Sequence, residues 1–168
     1  RLRIKLSEQD RKEAGFFKPT AIVDQAWQLT LASAKALRAT TILFQCPASF
    51  TPTAEHISHM VDFFTRIERT GLRLCWEPRG KWEQELVRDL CQDLDLWHVV
   101  DPFVNATMTP AQCYFRLHGR QGWRYQYEQQ ELTDLVELLP TNQPSYVFFN
   151  NVYMRQDALV FKNLLEGE

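Results

Sequence analysis

Glycine is scarce. Six occur in 168 residues, and none sits at the G-x-G-x-x-G or G-x-x-x-x-G-K-[ST] spacing that cradles a dinucleotide or nucleotide phosphate after a first strand. No run approaches the 18 or more uninterrupted apolar residues of a spanning helix. The opening Arg1-Leu2-Arg3-Ile4-Lys5-Leu6 has neither the apolar core nor the cleavage site of a signal peptide. A cytoplasmic protein with no membrane partner is therefore expected. The four cysteines, Cys46, Cys75, Cys91 and Cys113, stand 29, 16 and 22 positions apart, so zinc-knuckle and C-x-x-C redox spacings are absent and buried thiols are expected. Charge of one sign is missing too. With 19 basic against 21 acidic side chains the formal charge is -2, which gives nucleic acid no electrostatic support as a partner. No G-x-S-x-G nucleophile elbow occurs.

What is present is an ordinary globular composition, 45% hydrophobic and 24% charged, in a length close to the roughly 150 residues of one domain. The first twenty residues read as a charged, turn-rich entry ending in Pro19-Thr20, and a helix over 22–38 follows with Val23, Ala26, Trp27, Thr30, Ala34 and Leu37 on one face. After it a unit repeats. Short apolar strands are predicted at 41–45, 72–77, 96–100, 113–118 and 145–150, with helices at about 54–70, 82–94, 129–139 and 155–166 between them. The helix over 54–70 carries Ile57, Met60, Val61, Phe64 and Ile67 as its stripe. Pro102 and Pro110 bracket a segment better read as a loop. Strand-helix repetition implies parallel strands joined by right-handed crossovers, either a closed barrel or a doubly wound sheet, and the missing glycine-rich turn favours the barrel.

Each predicted strand ends in a residue able to donate, accept or transfer a proton: Gln45, Glu77, Asp101, His118 and Asn150. Ligands of parallel α/β folds gather at that end of the sheet. Alternation along a strand puts Tyr114, Arg116 and His118 on one face, and Arg73, Cys75 and Glu77 on one face of theirs. A guanidinium at Arg116 needs a carboxylate partner there, Glu77 or Asp101. Arg79 would stand above the rim, with Trp82 as a flat apolar wall. These positive charges fit an anionic ligand better than a metal, so no cofactor is expected, although Glu77, Asp101 and His118 are donors that could hold Mg or Mn. The loop after His118, with Arg120, Trp123, Arg124, Tyr125 and Tyr127, could close over a ligand or stack bases. His56 and His59, three apart on a helix, are expected to be solvated rather than metal-bound.

Leu-Phe-Gln-Cys-Pro-Ala-Ser-Phe (43–50), Trp-Glu-Pro-Arg-Gly-Lys-Trp (76–82), Val-Asp-Pro-Phe (100–103), Tyr-Phe-Arg-Leu-His-Gly (114–119) and Phe-Phe-Asn-Asn (148–151) together resemble the domain-of-unknown-function 72 family, or YecE-like proteins, from about Gly15 to Leu165. The resemblance implies a TIM-type β/α barrel with Gln45, Glu77, Arg79, Asp101, Arg116, His118 and Asn150 at motif positions, and it implies no particular reaction. Because such a barrel takes about 250 residues, 1–168 reads as a single incomplete barrel domain lacking its first two or three βα units. The expected function is an enzyme of hydrolase or lyase type acting on an anionic phosphate- or sugar-containing small substrate. Glu77 or Asp101 would be the base and His118 the acid. Arg79 and Arg116 would hold charge, and Gln45, Asn150, Trp82 and Tyr125 would orient the substrate. The alternatives are a barrel that binds a ligand or nucleic acid without chemistry, and a metal-dependent nuclease or phosphoesterase.

Overall fold

The computed structural model describes residues 7–69 and 71–167. The leader-free reading of residues 1–6 and the last residue of the expected helix over 54–70, Thr70, lie outside the described residues. Ser7 opens the fold with a capping box: its hydroxyl accepts from the Asp10 amide at 3.0 Å while Asp10 Oδ2 accepts from the Ser7 amide at 3.2 Å. This starts helix α1 (Glu8–Glu13), which lacks an apolar stripe and so has no periodicity to betray it. Helix α2 (Ala21–Leu37) buries Trp27 and Ala34, but Leu37 is solvent-exposed, because Arg38 turns into the left-handed region and ends the stripe one turn earlier than expected.

The repeating units then fall within a few residues of the predicted bounds: β1 (Thr41–Gln45), α3 (Ala54–Arg66), β2 (Arg73–Glu77), α4 (Gln84–Asp93), β3 (Trp97–Val100), β4 (Tyr114–Leu117), α5 (Gln129–Glu137), β5 (Tyr146–Phe149) and α6 (Met154–Glu166). Helix α3 buries Met60, Phe63 and Phe64, so Phe63 joins the expected stripe while Val61 is exposed. The segment between β3 and β4 has no helix, as its two prolines require. Among the described residues no helix is long and apolar enough to cross a membrane.

All five strands are parallel and lie in chain order, β1-β2-β3-β4-β5. With that order the sheet curls into an open half-barrel, the α/β architecture of an incomplete TIM-type barrel. The curvature is visible in two side-chain contacts that each skip two strands. Arg116 on β4 donates to Gln45 Oε1 on β1 at 2.7 Å, and Arg73 on β2 donates to the Tyr146 hydroxyl on β5 at 3.1 Å. Across a flat sheet such pairs would sit about 14 Å apart at three strand spacings. Both contacts lie on the concave face.

The convex face packs against the helices in two groups. Trp27, Phe44, Phe50, Phe63, Phe64, Leu74 and Trp76 belong to one apolar cluster under α2, α3 and α4; Phe115, Leu117, Leu132, Leu135, Phe149 and Phe161 belong to a second under α5 and α6. Strand β3 is the seam. Leu96, just before it, lies in the first cluster, and Val100 at its end lies in the second.

Candidate functional site

The carboxyl ends of β1, β2 and β4 bring one charged cluster together around Glu77. Parallel pairing sets Gln45 directly beside Glu77. Glu77 is buried, and both its oxygens are engaged: Oε1 by Arg79 Nε at 2.8 Å, Oε2 by Arg116. Arg116 in turn is shared with Gln45. Of the two partners the sequence offers Arg116, Glu77 is the one that pairs with it. A guanidinium taken this far from water needs such a partner, since an uncompensated charge costs several kcal/mol.

His118 completes the cluster. Its Nε2 lies 2.9 Å from Arg79 Nη2 and 3.4 Å from Glu77 Oε1. An imidazolium would pair with the carboxylate, but a guanidinium can only donate, so the shorter contact makes Nε2 the acceptor and puts the proton on Nδ1. Burial, followed by the nearby Arg79, outweighs the opposing pull of Glu77 and moves the His118 pKa below its ordinary value. The ring is neutral.

A cleft of about 570 Å³ opens beside this cluster, bounded by the β2–α4 loop and the loop between β3 and β4. Asp101 lines it without joining the charges. Its Oδ1 accepts from the Phe103 amide at 3.1 Å and its Oδ2 from the His118 amide at 2.9 Å, so it clamps its own loop and the end of β4. Trp82 also lines the cleft, held by a 2.9 Å bond from its indole N–H to the Phe50 carbonyl and an edge contact to Trp76.

Residues 5–166 match the family described as "Protein of unknown function DUF72". The chain belongs to the DUF72 family. A crystal structure of a DUF72 family protein from Enterococcus faecalis superimposes with a TM-score of 0.72 at 17% identity, over 92% of this chain and 70% of that one. At that identity the likeness speaks for the fold. No curated protein matches the chain.

Two expected members of the DUF72 site stand apart from it. Tyr125 donates its hydroxyl to Glu131, at 2.9 Å and 2.8 Å from the two carboxylate oxygens, and so ties the β4–α5 loop to α5. Asn150 is exposed, and its backbone amide extends the β4–β5 pairing to the Leu117 carbonyl at 2.7 Å. Its neighbour Asn151 is the buried one, bonded to the Tyr125 carbonyl at 2.7 Å and to Asp157 on α6. Base stacking by the aromatic loop loses most of its parts. Tyr127 is buried with its hydroxyl accepting from the Gly119 amide at 2.8 Å, and Arg120 is paired with Glu131 at 2.9 Å. Arg124 and Trp123, stacked with 4.7 Å between the guanidinium and the ring centre, face outward with no acidic partner among the described residues. His56 is not solvated either: it packs between Phe16 and Phe50 and meets the Thr51 carbonyl at 2.8 Å.

Among the described residues no three His, Cys, Asp or Glu side chains are grouped to hold a metal ion. The donors expected for Mg or Mn are already bonded, Glu77 by guanidinium groups and Asp101 by amides.

One cleft residue was not visible in the sequence. His98, in the middle of β3, is buried, and its Nδ1 accepts from the Met108 amide at 3.0 Å, which leaves the proton on Nε2. Burial lowers its pKa from 6.5 to about 4. The unfolded chain therefore binds a proton between those values that the folded chain does not, so stability is lost as pH falls from about 6.5 to about 4. The full loss is about 3 kcal/mol. His98→Asn keeps an acceptor near the position of Nδ1 and cannot titrate. Urea melts of the two proteins at pH 7 and pH 4.5 should show the parent losing more stability than the variant; equal losses would mean that His98 is solvated.

Proposed function

We propose that this chain is an enzyme of hydrolase or lyase type that binds a small phosphate- or sugar-containing anion in the rim cleft, with His118 as its proton-transfer group. The observation that carries the reading is the contact between Arg79 Nη2 and His118 Nε2, with both groups on the same oxygen of Glu77. Two guanidinium groups share one carboxylate beside one neutral imidazole, so this cluster carries one unmatched positive charge, whereas farther along the cleft Asp101 and Glu83 offset Lys81. An anion is the ligand that balances it.

An arriving anion draws the Arg79 guanidinium onto itself and frees the Nε2 lone pair. His118 is then a base beside the bound group, and once it takes a proton, Glu77 Oε1 is close enough to stabilise the imidazolium. In the return step the same imidazolium is the acid. Glu77, with both oxygens engaged, acts as the positioning carboxylate in place of the base expected of it. Arg116 and Gln45 hold it, and Asp101 holds the backbone of His118. Arg79, which lines the cleft, offsets charge that develops on the substrate, while Arg116 stays on Glu77.

The test begins with binding, which needs no substrate. The His118 ring should titrate by NMR with a midpoint below the ordinary histidine value, and inorganic phosphate should raise that midpoint because the anion favours the charged ring. Arg79→Gln should abolish the phosphate effect. A midpoint that ignores phosphate would remove the anion site. A panel of phosphoesters and sugar acids, compared between parent and His118→Gln, then tests for turnover.

A further inference from the structure

We infer that His98 is a second point of contact for the ligand, donating its Nε2–H to an uncharged oxygen on the ligand's body; the inference rests on the anion-binding reading above and narrows the anion to an elongated, oxygen-bearing one, a phosphorylated sugar. His98 and His118 line the same cleft. The His98 ring is engaged on one side only. Nδ1 accepts from the Met108 amide, so the hydrogen is on Nε2, and the two other bonds of this residue, from its amide to Thr109 Oγ1 at 3.0 Å and from Thr107 Oγ1 to its carbonyl at 3.4 Å, are made by its backbone. Among the described residues nothing accepts from Nε2. His98 is 6% exposed, yet Nε2 is not sealed: the Trp76 indole N–H on the neighbouring strand has neither a partner nor access to solvent, whereas His98 Nε2 keeps accessible surface, and the wall of the cleft is where this residue shows it.

A donor this deep without an acceptor costs the folded chain stability, and a ligand oxygen placed against it removes that cost. Burial also keeps the ring neutral, with its pKa down at about 4. It therefore offers a hydrogen bond and no charge, which suits a hydroxyl or ether oxygen and leaves the anionic end with Arg79. The two contacts are well separated. Asp101, whose carboxylate holds the His118 amide, directly follows β3, and His98 lies three residues back along that strand, about 10 Å at the rise of a strand. Inorganic phosphate is too small to touch both. Glu83, Gln84 and Asn105, exposed at the mouth, are side chains with which further hydroxyls can pair. The volume of about 570 Å³ holds a ligand of that length.

Calorimetric titration of the parent, His98→Asn and His98→Gln with inorganic phosphate and with trehalose 6-phosphate, at one pH and ionic strength, tests this. Asparagine keeps an acceptor near the position of Nδ1 and has nothing at Nε2; glutamine places an amide N–H near Nε2 and has nothing at Nδ1. The parent should bind trehalose 6-phosphate at least tenfold more tightly than inorganic phosphate. That gain should shrink fivefold or more in His98→Asn and be largely kept in His98→Gln, with inorganic phosphate binding alike to all three. In the parent, the NMR signal of the His98 Nε2–H should move with trehalose 6-phosphate and not with inorganic phosphate. Equal binding of the two ligands by the parent, a gain kept in His98→Asn, or a gain lost equally in both variants would overturn the inference and leave the anion site standing. Failure of both ligands to bind, or binding unaffected by Arg79→Gln, would overturn the anion site and this inference together.

Discussion

Glu77→Gln should lower the melting temperature by roughly 6–12 °C, equivalent to about 3 kcal/mol for a domain of this size. The carboxylate stands between two guanidinium groups, and a glutamine amide can accept from one of them only by turning its NH₂ toward the other. Donor then faces donor. The Arg79 side chain is 38% exposed, so water replaces much of what it loses, whereas Arg116 at 18% has little access to solvent and bears most of the cost. Adding Arg116→Met should therefore restore most of the lost stability, because removing both buried charges is cheaper than stranding one. Any turnover detected should fall in Glu77→Gln, since the imidazolium of His118 loses its counter-charge. A single variant that melts within a degree or two of the parent would show that the cluster is open to water.

Gly119→Ala should be about as damaging, by a different route. Gly119 has φ +84°, where a side chain is strained, and an added Cβ would lie 2.2 Å from the Gly122 carbonyl oxygen and 2.8 Å from Tyr125 Cβ. The loop would have to move. That movement breaks the bond from the Gly119 amide to Tyr127 and displaces His118, the preceding residue. A loss of about 3 kcal/mol and a tenfold or greater drop in phosphate affinity are expected. Gly122 is the control: its φ is +102° but nothing lies within 4 Å of an added Cβ, so Gly122→Ala should carry the strain without the collision. If the two substitutions cost the same in thermal melts, the close approach is not what requires glycine at 119.

The repeating units were legible because each strand is a short apolar run closed by a turn, and each helix shows its stripe. Gln45, Glu77 and His118 were legible for a related reason: the polar residue that ends a buried parallel strand has few places to go other than the rim; Arg116 followed from alternation two residues before His118, and Arg79 from its place in the loop two residues past Glu77. Asp101 ends its strand in the same way, yet it precedes Pro102, and one oxygen takes the Phe103 amide in the turn that follows while the other takes the His118 amide at the end of the neighbouring strand. Which acceptor wins depends on loop geometry that a sequence does not display. Asn150 and Asn151 are adjacent, and only the packing of α6 decides that the second is buried against Asp157. His98 was hidden inside Trp-His-Val-Val, where its bond to Met108 depends on the loop folding back over β3. Periodicity alone left barrel and doubly wound sheet open, because curvature shows only in contacts that skip strands, such as Arg116 with Gln45.

The seam at β3 has a mechanical consequence. The two apolar clusters are joined along a strand of four residues, whose register with each neighbour spans two residue pairs. Arg79 belongs to the half built on β2 and α4, and His118 to the half built on β4 and α5, so the Glu77 cluster fastens one half to the other across the mouth of the cleft. A ligand gripping both residues would work as a clasp. Its binding energy would be felt as resistance to the halves parting, and amide protons along β3 should be the first to slow their exchange with solvent when the cleft is filled.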